Sequence, residues 1–561
     1  MRPLSIYTSW IILILLFISS CSSEKEKVMI TSGSDKYGGI FAYNESGTIN
    51  TLFPARGYFQ SEIQVISFIT EPLVKMAPDM SIVPCIAESW SVNEDGTEYT
   101  FKIRNGVYFH DSDIFSNGEG RALVASDVAF CFQKACEDFP GNTVSHYFRG
   151  VLKGASKYFD GQADIVSGIE LIDDQTLKLT LKDPFSDLLA LLSNACLGIY
   201  PEEYLKNWQG DLDHGTIGTG PFKISSFDKE KLLLLEKNQR YWALNDEGTP
   251  LPYLSAIKMT FEKDKKVVAD AFKGQMINFI PNLNTAHSSL KNASEDSFTR
   301  KKNPIMRTKF LGLYMPNEVV ANKQVRKALQ YAIDKDLLVD SVLNKKGIPA
   351  KTGMIPPIFS DYVSLDNIGY KLDPISAKHS LELSGLEMES LNNLEIYSTN
   401  SEEDVNVANA IRKMFKDNLD LSISVKYFHP SEYYELIESG KATLFIDGYT
   451  GDYPSPDNFL YNLFYGKYLP KGDEEYSGFN LYRYKNPFFD NLLDSARHAK
   501  TKEFQIEYFQ KAEKMLMSDA AVIPLYYDET EYGLNKDLQN FVIDPLNLFD
   551  LRKVYFNRSS Q

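Results

Sequence analysis

Hydrophobic residues in this 561-residue chain alternate repeatedly between a spacing of two and a spacing of about 3.6. The first spacing predicts a strand buried on one face, and the second predicts a helix with one apolar stripe. Both patterns recur through the whole chain without an internal repeat, so we predict a mixed α/β or α+β fold. The length is sufficient for two or three domains with sizeable cores.

The clearest elements can be assigned from local pattern alone. Tyr99 and Ile103 mark the ends of an alternating run that predicts a strand. A hairpin is expected around the turn at Asp173, because apolar residues alternate with polar ones on both sides of it. Helices are predicted over residues 322–343, 403–419 and 502–518, with N-caps at Asn322 for the first and at Ser126 for an earlier helix.

The N-terminal segment has the features of a bacterial lipoprotein signal. Arg2 provides a weak positive charge, and residues 11–18 form an apolar run too short to span a bilayer. Two serines follow and lead to Cys21, in the manner of a lipobox. We therefore expect a signal peptide over residues 1–20, an acylated Cys21 and a polar tether over 21–27. The alternative is an ordinary signal peptide with an incidental cysteine.

Charge and motif content exclude several classes of function. The chain has 75 acidic and 59 basic residues, a formal charge of −16, which disfavours nucleic-acid binding. Nucleophile-elbow, zinc-protease and phosphate-loop motifs do not occur, and the seven histidines lack metal-binding spacing. We expect no catalysis, no metal and no cofactor.

Four further cysteines, Cys85, Cys131, Cys136 and Cys196, do not form a metal-type pattern. Cys131 and Cys136 are five residues apart on a predicted helix, which places them on different faces and beyond disulfide reach. Buried thiols are the default expectation, although an exported protein permits a disulfide that the sequence does not assign.

Residues 87–111 (AESWSVNEDGTEYTFKIRNGVYFHD) resemble the signature of the family 5 bacterial extracellular solute-binding proteins. These are the dipeptide- and oligopeptide-binding components of ABC importers. Further similar motifs follow in the family's order, over about residues 28–556: ASDVAF at 125–130, GTGPF at 218–222, NQRYW at 238–242, VRKAL at 325–329, GDYPSPDNFL at 451–460 and AVIPLY at 521–526.

The resemblance implies a two-lobed periplasmic-binding-protein fold of type II with an extra subdomain in its first lobe. Two crossover segments, near 304–312 and 519–526, would form the hinge, and the lobes would close over a ligand. The expected division is 28–75 (first lobe), 76–200 (extra subdomain), 201–305 (first lobe), 306–522 (second lobe) and 523–561 (return to the first lobe).

Asp452 is the main candidate ligand-binding residue. In peptide-binding relatives the aspartate of this motif receives the α-ammonium group of the ligand. A carboxylate in a closed cleft requires a cationic partner, because an unpaired buried charge is costly. The alternative interpretation is that residues 451–458 are only a polar turn, where aspartate is common.

Two tyrosines accompany it. Tyr449 stands where many relatives have tryptophan, and an aromatic wall there would flank the ligand, with Tyr453 also in the site. Some oligopeptide binders have a basic residue at the position of Ile446, so the place where a ligand carboxylate would be held remains open.

A second group of candidates comes from the N-terminal part of the chain. The segment containing Gly57, Tyr58 and Phe59 lies where relatives present an extended main chain to a peptide. Packing in a core is the alternative for the two aromatic residues. Asn480, before the last helices, is a weaker candidate.

The sequence thus predicts a solute-binding lipoprotein of an ABC importer that captures di- or oligopeptides between two lobes. We expect a monomer whose partners are the ligand, the ABC permease complex and, through its lipid, a bacterial membrane. A nickel chelate, haem, an oligosaccharide or an opine could replace the peptide, and a ligand-sensing receptor without transport is a further alternative. An extracellular hydrolase has no motif to support it.

Overall fold

The structure, a computed structural model, describes residues 35–207, 215–294, 296–359, 361–362, 368–469 and 480–557. The predicted signal peptide, Cys21 and the tether lie outside these residues. Within the described part of the chain, no helix is both long enough and apolar enough to cross a membrane.

One eleven-stranded sheet passes through the whole molecule. From edge to edge it contains β15 (Ser424–Phe428), β14 (Glu395–Thr399), β16 (Leu444–Thr450), β12 (Thr299–Leu313), β17 (Ile523–Leu534), β11 (Phe279–Ile280), β1 (Ile40–Asn44), β10 (Ala256–Thr260), β9 (Leu232–Lys237) and β8 (Phe222–Asp228). A short strand, β13 (Ile348–Pro349), pairs with β17.

The long strands β12 and β17 connect the two halves of this sheet. Residues 299–304 of β12 pair with 529–534 of β17 in one half, and residues 307–313 pair with β16 in the other. Their mutual register shifts between Pro304 and Thr308. We call the part built on β11, β1, β10, β9 and β8 the first lobe, and the part built on β16, β14 and β15 the second lobe.

The first lobe also carries smaller sheets. A four-stranded antiparallel sheet has the order β4 (Ala87–Val92), β5 (Glu98–Ile103), β7 (Thr176–Thr180) and β6 (Ile169–Asp173), and its core includes Phe101, Leu177 and Phe132. Two hairpin-like pairs join β2 (Val74–Met76) to β3 (Ile82–Pro84) and β18 (Leu538–Gln539) to β19 (Tyr555–Phe556).

The helices of the first lobe are mostly short. They are α1 (Gln60–Ile69), α2 (Ala125–Ala135), α3 (Ser145–Arg149), α4 (Ala155–Phe159), α5 (Leu188–Leu191), α6 (Glu202–Asn207), α7 (Lys265–Lys273) and α8 (Ser288–Lys291). Short 3₁₀ turns at Pro54–Arg56 and Ala195–Leu197 lie beside α1 and pack against each other.

In the second lobe, helices cover both faces of the sheet. These helices are α9 (Lys323–Tyr331), α10 (Lys335–Leu337), α11 (Pro374–Leu383), α12 (Met388–Asn392), α13 (Glu402–Leu419), α14 (Pro430–Glu438), α15 (Pro456–Phe464), α16 (Pro487–Arg497) and α17 (Lys502–Ser518). Adjacent residues of β12 alternate between two cores, because side chains of a strand point to opposite faces. Leu311 joins the core with α9 and α13, and Phe310 joins the core with α15, α16 and α17.

Most of the local predictions are confirmed. The strand over 99–103, the hairpin at Asp173 and the helices over 403–419 and 502–518 are present. The helix over 322–343 is interrupted: α9 ends at Tyr331, and Asp334 caps a new helix by accepting a hydrogen bond from the N–H of Leu337.

The N-cap predictions have opposite outcomes. Asn322 caps α9 through a bond from the N–H of Gln324. Ser126 is not an N-cap, because α2 begins one residue earlier and Asp127 accepts a bond from the N–H of Val124 instead. All four cysteines in the described residues are free and buried, as expected.

Candidate functional site

Asp452 lies just beyond the carboxyl end of β16. The strands β14, β15 and β16 are parallel, and α13, α14 and α15 begin soon after each of them ends. The turn is fixed from β12, because the N–H of Gly451 donates to the carbonyl oxygen of Met306 at 2.9 Å. The carboxyl ends of parallel strands are where ligands commonly bind in such sheets. Asp452 is thus at the edge of the second lobe where the carboxyl ends of its parallel strands lie.

The first lobe reaches this residue directly. Asn194, before the 3₁₀ turn at 195–197, donates from Nδ2 to the carbonyl oxygen of Asp452 at 3.2 Å. The hydroxyl of Tyr147 in α3 interacts with the Asp452 carboxylate and lies 3.4 Å from Asn194 Nδ2. Asp452 is therefore enclosed between the lobes and remains partly exposed.

Burial raises the pKa of Asp452 to about 6, against the opposing effect of hydrogen bonds from Tyr449, Tyr147 and Asn458. In the part of the chain that the structure describes, none of the groups that shift this pKa is a cation. Burial alone would favour the neutral acid, and neutral donors compensate the charge incompletely. An added cation would stabilise the ionised form.

Two buried aspartates of the second lobe, Asp457 and Asp404, have cationic partners. Asp457 is fully buried and accepts two bonds of 2.7 Å from the guanidinium group of Arg497. Asp404 accepts a bond of 2.7 Å from the ammonium group of Lys309. Asp452 differs from both because its partners are neutral.

Tyr449 supports Asp452 through its hydroxyl group. Tyr449 Oη lies 3.3 Å from Asp452 Oδ2 and 2.9 Å from Asn458 Oδ1, and it accepts a bond of 3.0 Å from Asn462 Nδ2. Asn458 is fully buried, and its Oδ1 also accepts a bond of 3.0 Å from the N–H of Asp452. The sequence predicted an aromatic wall at this position, whereas the structure gives the residue a polar role as well.

Tyr453 points away from Asp452. Its ring belongs to the hydrophobic core of the first lobe and packs edge-on against Phe185, with ring centroids 6.5 Å apart. Its hydroxyl donates to Asp457 Oδ2 at 2.8 Å. Tyr453 joins the two lobes by packing, and these contacts give its predicted ligand role no support.

The main chain at Gly57 is fully engaged within the protein. Its carbonyl oxygen accepts bonds from Thr143 Oγ1 at 2.9 Å and from Cys196 Sγ at 3.5 Å, and its N–H donates to Pro54. A Cβ at this position would lie 2.9 Å from Cys196 Sγ and from Ile66 Cδ1, which explains the glycine.

Tyr58 and Phe59 have exposed side chains, whereas their N–H groups are bonded within the protein. Both N–H groups donate to Glu62 Oε2 at 3.1 Å, which caps α1. The side chains are 73% and 49% exposed and pack edge-on against each other. Tyr434 of α14 is close enough to Tyr58 for their hydroxyls to interact electrostatically. Tyr58 and Phe59 therefore lie at the boundary between the lobes.

Asn480 is a structural residue in this arrangement. It is fully buried, donates to the carbonyl oxygens of Tyr465 and Tyr484, and accepts a bond from the N–H of Tyr484. These bonds use its amide group, so they do not support ligand contact.

Sequence reasoning missed four residues that contact Asp452 or Tyr449: Tyr147, Asn194, Asn458 and Asn462. Asn458 falls within the motif at 451–460, and its amide could have drawn attention there. Tyr147 and Asn194 give no local signal. Among the described residues, no group of three or more histidine, cysteine or acidic side chains is arranged to hold a metal ion.

Comparison with known proteins gives consistent matches. The dipeptide-binding protein of Escherichia coli K12 is 26% identical over 474 residues, covering 83% of this chain and 84% of that protein. Heme-binding protein A of Haemophilus influenzae is 25% identical over 547 residues and covers 95% of each chain.

The fold has solved counterparts. The Helicobacter pylori ABC transporter-associated periplasmic binding protein DppA, in complex with peptide STSA, matches with a TM-score of 0.74 at 23% identity, covering 93% of this chain and 99% of that chain. This likeness establishes the two-lobed fold of periplasmic binding proteins. A sequence model described as "Bacterial extracellular solute-binding proteins, family 5 Middle" matches residues 81–469. The chain belongs to the bacterial extracellular solute-binding proteins of family 5.

Proposed function

We propose that this protein captures peptides with a free amino terminus between its lobes and delivers them to an ABC importer. The observation that carries the proposal is Asp452, a carboxylate enclosed between the lobes whose described partners are all neutral. A peptide ammonium group would supply the missing positive charge, because an opposite charge nearby favours the ionised carboxylate.

Closure and recognition are coupled in this proposal. Tyr147 approaches Asp452 from the first lobe and Tyr449 approaches it from the second. A ligand whose cation binds Asp452 is thereby held where the lobes meet, and its differential affinity for the closed arrangement favours closure. The protein would release its ligand unchanged, without catalysis. Tyr58 and Phe59 would offer exposed ring surfaces to ligand side chains.

The charge of Asp452 favours a peptide over haem as the ligand. The Escherichia coli relative is a dipeptide-binding protein, whereas the Haemophilus influenzae relative is a heme-binding protein. Haem carries anionic propionate groups, which an unpaired Asp452 carboxylate would repel. Haem, or another non-peptide ligand, remains the second candidate because that relative matches nearly the whole chain.

Export and anchoring complete the proposal. The sequence at 1–27 supports a signal peptide, acylation of Cys21 and attachment to a bacterial membrane, with the permease complex as partner. We also propose that the hinge follows the shift of register between β12 and β17, with the lobes divided near 305 and 522, and that the protein acts as a monomer.

The proposal is tested by incubating the purified protein with a library of random di- to hexapeptides and identifying the retained peptides by mass spectrometry. Calorimetry then compares the best peptide with its amino-acetylated form. We expect acetylation or Asp452→Asn to weaken binding by about 2–5 kcal/mol. Asp417→Asn is the matched control, because Asp417 is an exposed residue of α13 paired with Lys413. Equal affinity of the Asp452→Asn variant and the wild type would refute the assignment.

A further inference from the structure

The Tyr449 hydroxyl has two acceptors and one hydrogen. Asn462 Nδ2 donates into this oxygen at 3.0 Å, so Tyr449 must use its own hydrogen elsewhere. The candidates are Asn458 Oδ1 at 2.9 Å and Asp452 Oδ2 at 3.3 Å. Burial and the neighbouring Asp452 carboxylate raise the pKa of Tyr449 well above its ordinary value, so the hydroxyl keeps its hydrogen.

Asn458 is fixed in the orientation that this sharing needs. Its Oδ1 accepts from the N–H of Asp452, which identifies the oxygen of its fully buried amide. That bond satisfies Asn458 Oδ1 even when Tyr449 turns its hydrogen away. The hydroxyl can thus turn between the two acceptors without leaving Oδ1 unbonded.

We propose that Tyr449 is a positioning residue whose hydroxyl donates to the Asp452 carboxylate in the empty cleft and turns to Asn458 when a cationic ligand arrives. Its effect is to keep Asp452 ionised before binding, because a hydrogen bond to a carboxylate favours the charged form. The inference deepens the proposed function and rests on it for the cationic nature of the ligand.

Few groups near Asp452 can keep its carboxylate ionised by donating a hydrogen bond to it. Among the residues that the structure describes, the titratable neighbours of Asp452 are Tyr147 from α3, Cys196 from the adjacent turn and Tyr449 from β16. Asp457 lies near Tyr449. Asp457 adds negative charge, which its Arg497 pair offsets. Tyr449 and Tyr147 are therefore the titratable donors to the carboxylate, one from each lobe.

The test compares wild type with Tyr449→Phe, which keeps the ring and removes the hydroxyl. Affinity for the peptide selected from the random di- to hexapeptide library is measured from pH 5 to 8. We expect an upward shift of the pH below which binding fails: for each unit by which the pKa of Asp452 rises, affinity at pH 5 should fall about tenfold, whereas affinity near pH 8 should change little. Tyr465→Phe is the matched control, because that hydroxyl donates to Asp494 at 2.7 Å. It should change neither quantity.

The free energy of unfolding, measured without ligand, tests the inference independently of the peptide. Tyr449→Phe should destabilise the protein more at pH 8 than at pH 5, because the lost bond is to the ionised carboxylate. A destabilisation that does not vary with pH, or an affinity loss without a shift in pH, overturns the inference. Neither result would affect the proposed function, which fails only if Asp452→Asn or amino-acetylation leaves binding intact.

Discussion

Ser455 Oγ donates a hydrogen bond of 2.8 Å to Asp187 Oδ2, and this bond joins the second lobe to the first. Gln505 of α17 donates to the same carboxylate oxygen at 2.8 Å, and the Lys502 ammonium lies 3.8 Å from its other oxygen. Asp187 is buried by these contacts. Asp187 is not among the groups that shift the pKa of Asp452, so a change at this contact should act on closure rather than on the Asp452 carboxylate.

Asp187→Ala should therefore weaken peptide binding. The substitution leaves Ser455 and Gln505 without their acceptor and makes the closed arrangement less favourable. Apparent affinity falls in proportion to the population able to close, and we expect about a tenfold loss. Calorimetry measures the affinity, and small-angle X-ray scattering measures the compaction on binding.

Asp183→Ala provides the control for this contact. Asp183 lies four residues earlier in the same segment and is exposed. Its replacement should leave both affinity and compaction at wild-type values. If Asp187→Ala behaves like Asp183→Ala, the bond between the lobes does not contribute to closure.

Binding should also depend on pH through Asp452. Its pKa of about 6 is raised above the ordinary value by burial. An ammonium group binds the ionised form, so affinity should fall about tenfold for each pH unit well below 6, and it should also decline near pH 8, where the α-amino group of the peptide (pKa about 8) loses its proton. Calorimetric titrations between pH 4.5 and 8 measure this. Asp452→Asn should abolish the dependence below pH 7, and a wild-type profile that is flat from pH 4.5 to 7 would contradict the assignment.

Local pattern predicted the elements, because amphipathic periods depend on neighbours in the chain. Strand β5, helix α13 and helix α17 follow from such periods. The motif at 451–460 likewise singled out Asp452, and Tyr449 is close to it because it precedes it by three residues.

The first-lobe half of the site could not be predicted in this way. Asn194 reaches Asp452 across 258 residues of sequence, and this contact depends on how the lobes pack. Local pattern also contained no sign that packing buries Tyr453 and Asn480 within the protein.

Substitutions at Tyr58 and Asn480 should distinguish an effect on ligand affinity from an effect on the free energy of unfolding. Tyr58 is 73% exposed, so Tyr58→Ala should change the free energy of unfolding by less than about 0.5 kcal/mol. If its ring contacts ligand, peptide affinity should fall.

Asn480→Ala removes three buried hydrogen bonds and should destabilise the protein by about 1–3 kcal/mol. Denaturant unfolding and calorimetry on both variants measure these effects. Unchanged affinity in Tyr58→Ala would remove that residue from the site.

Glu513 should make stability depend on pH near neutrality. This buried residue of α17 accepts bonds from the N–H groups of Met354 and Ile355 and from Tyr362 Oη, yet burial raises its pKa to about 7. The folded state holds this proton more tightly than the unfolded state, so stability is full below about pH 4.5 and is lost as pH rises towards 7. Glu513→Gln keeps an acceptor for both N–H groups and should flatten that part of the profile of unfolding free energy against pH. The control is Glu507→Gln, an exposed change on the same helix, which should leave the profile as in wild type. Identical profiles for wild type and Glu513→Gln would mean that Glu513 does not titrate in this range.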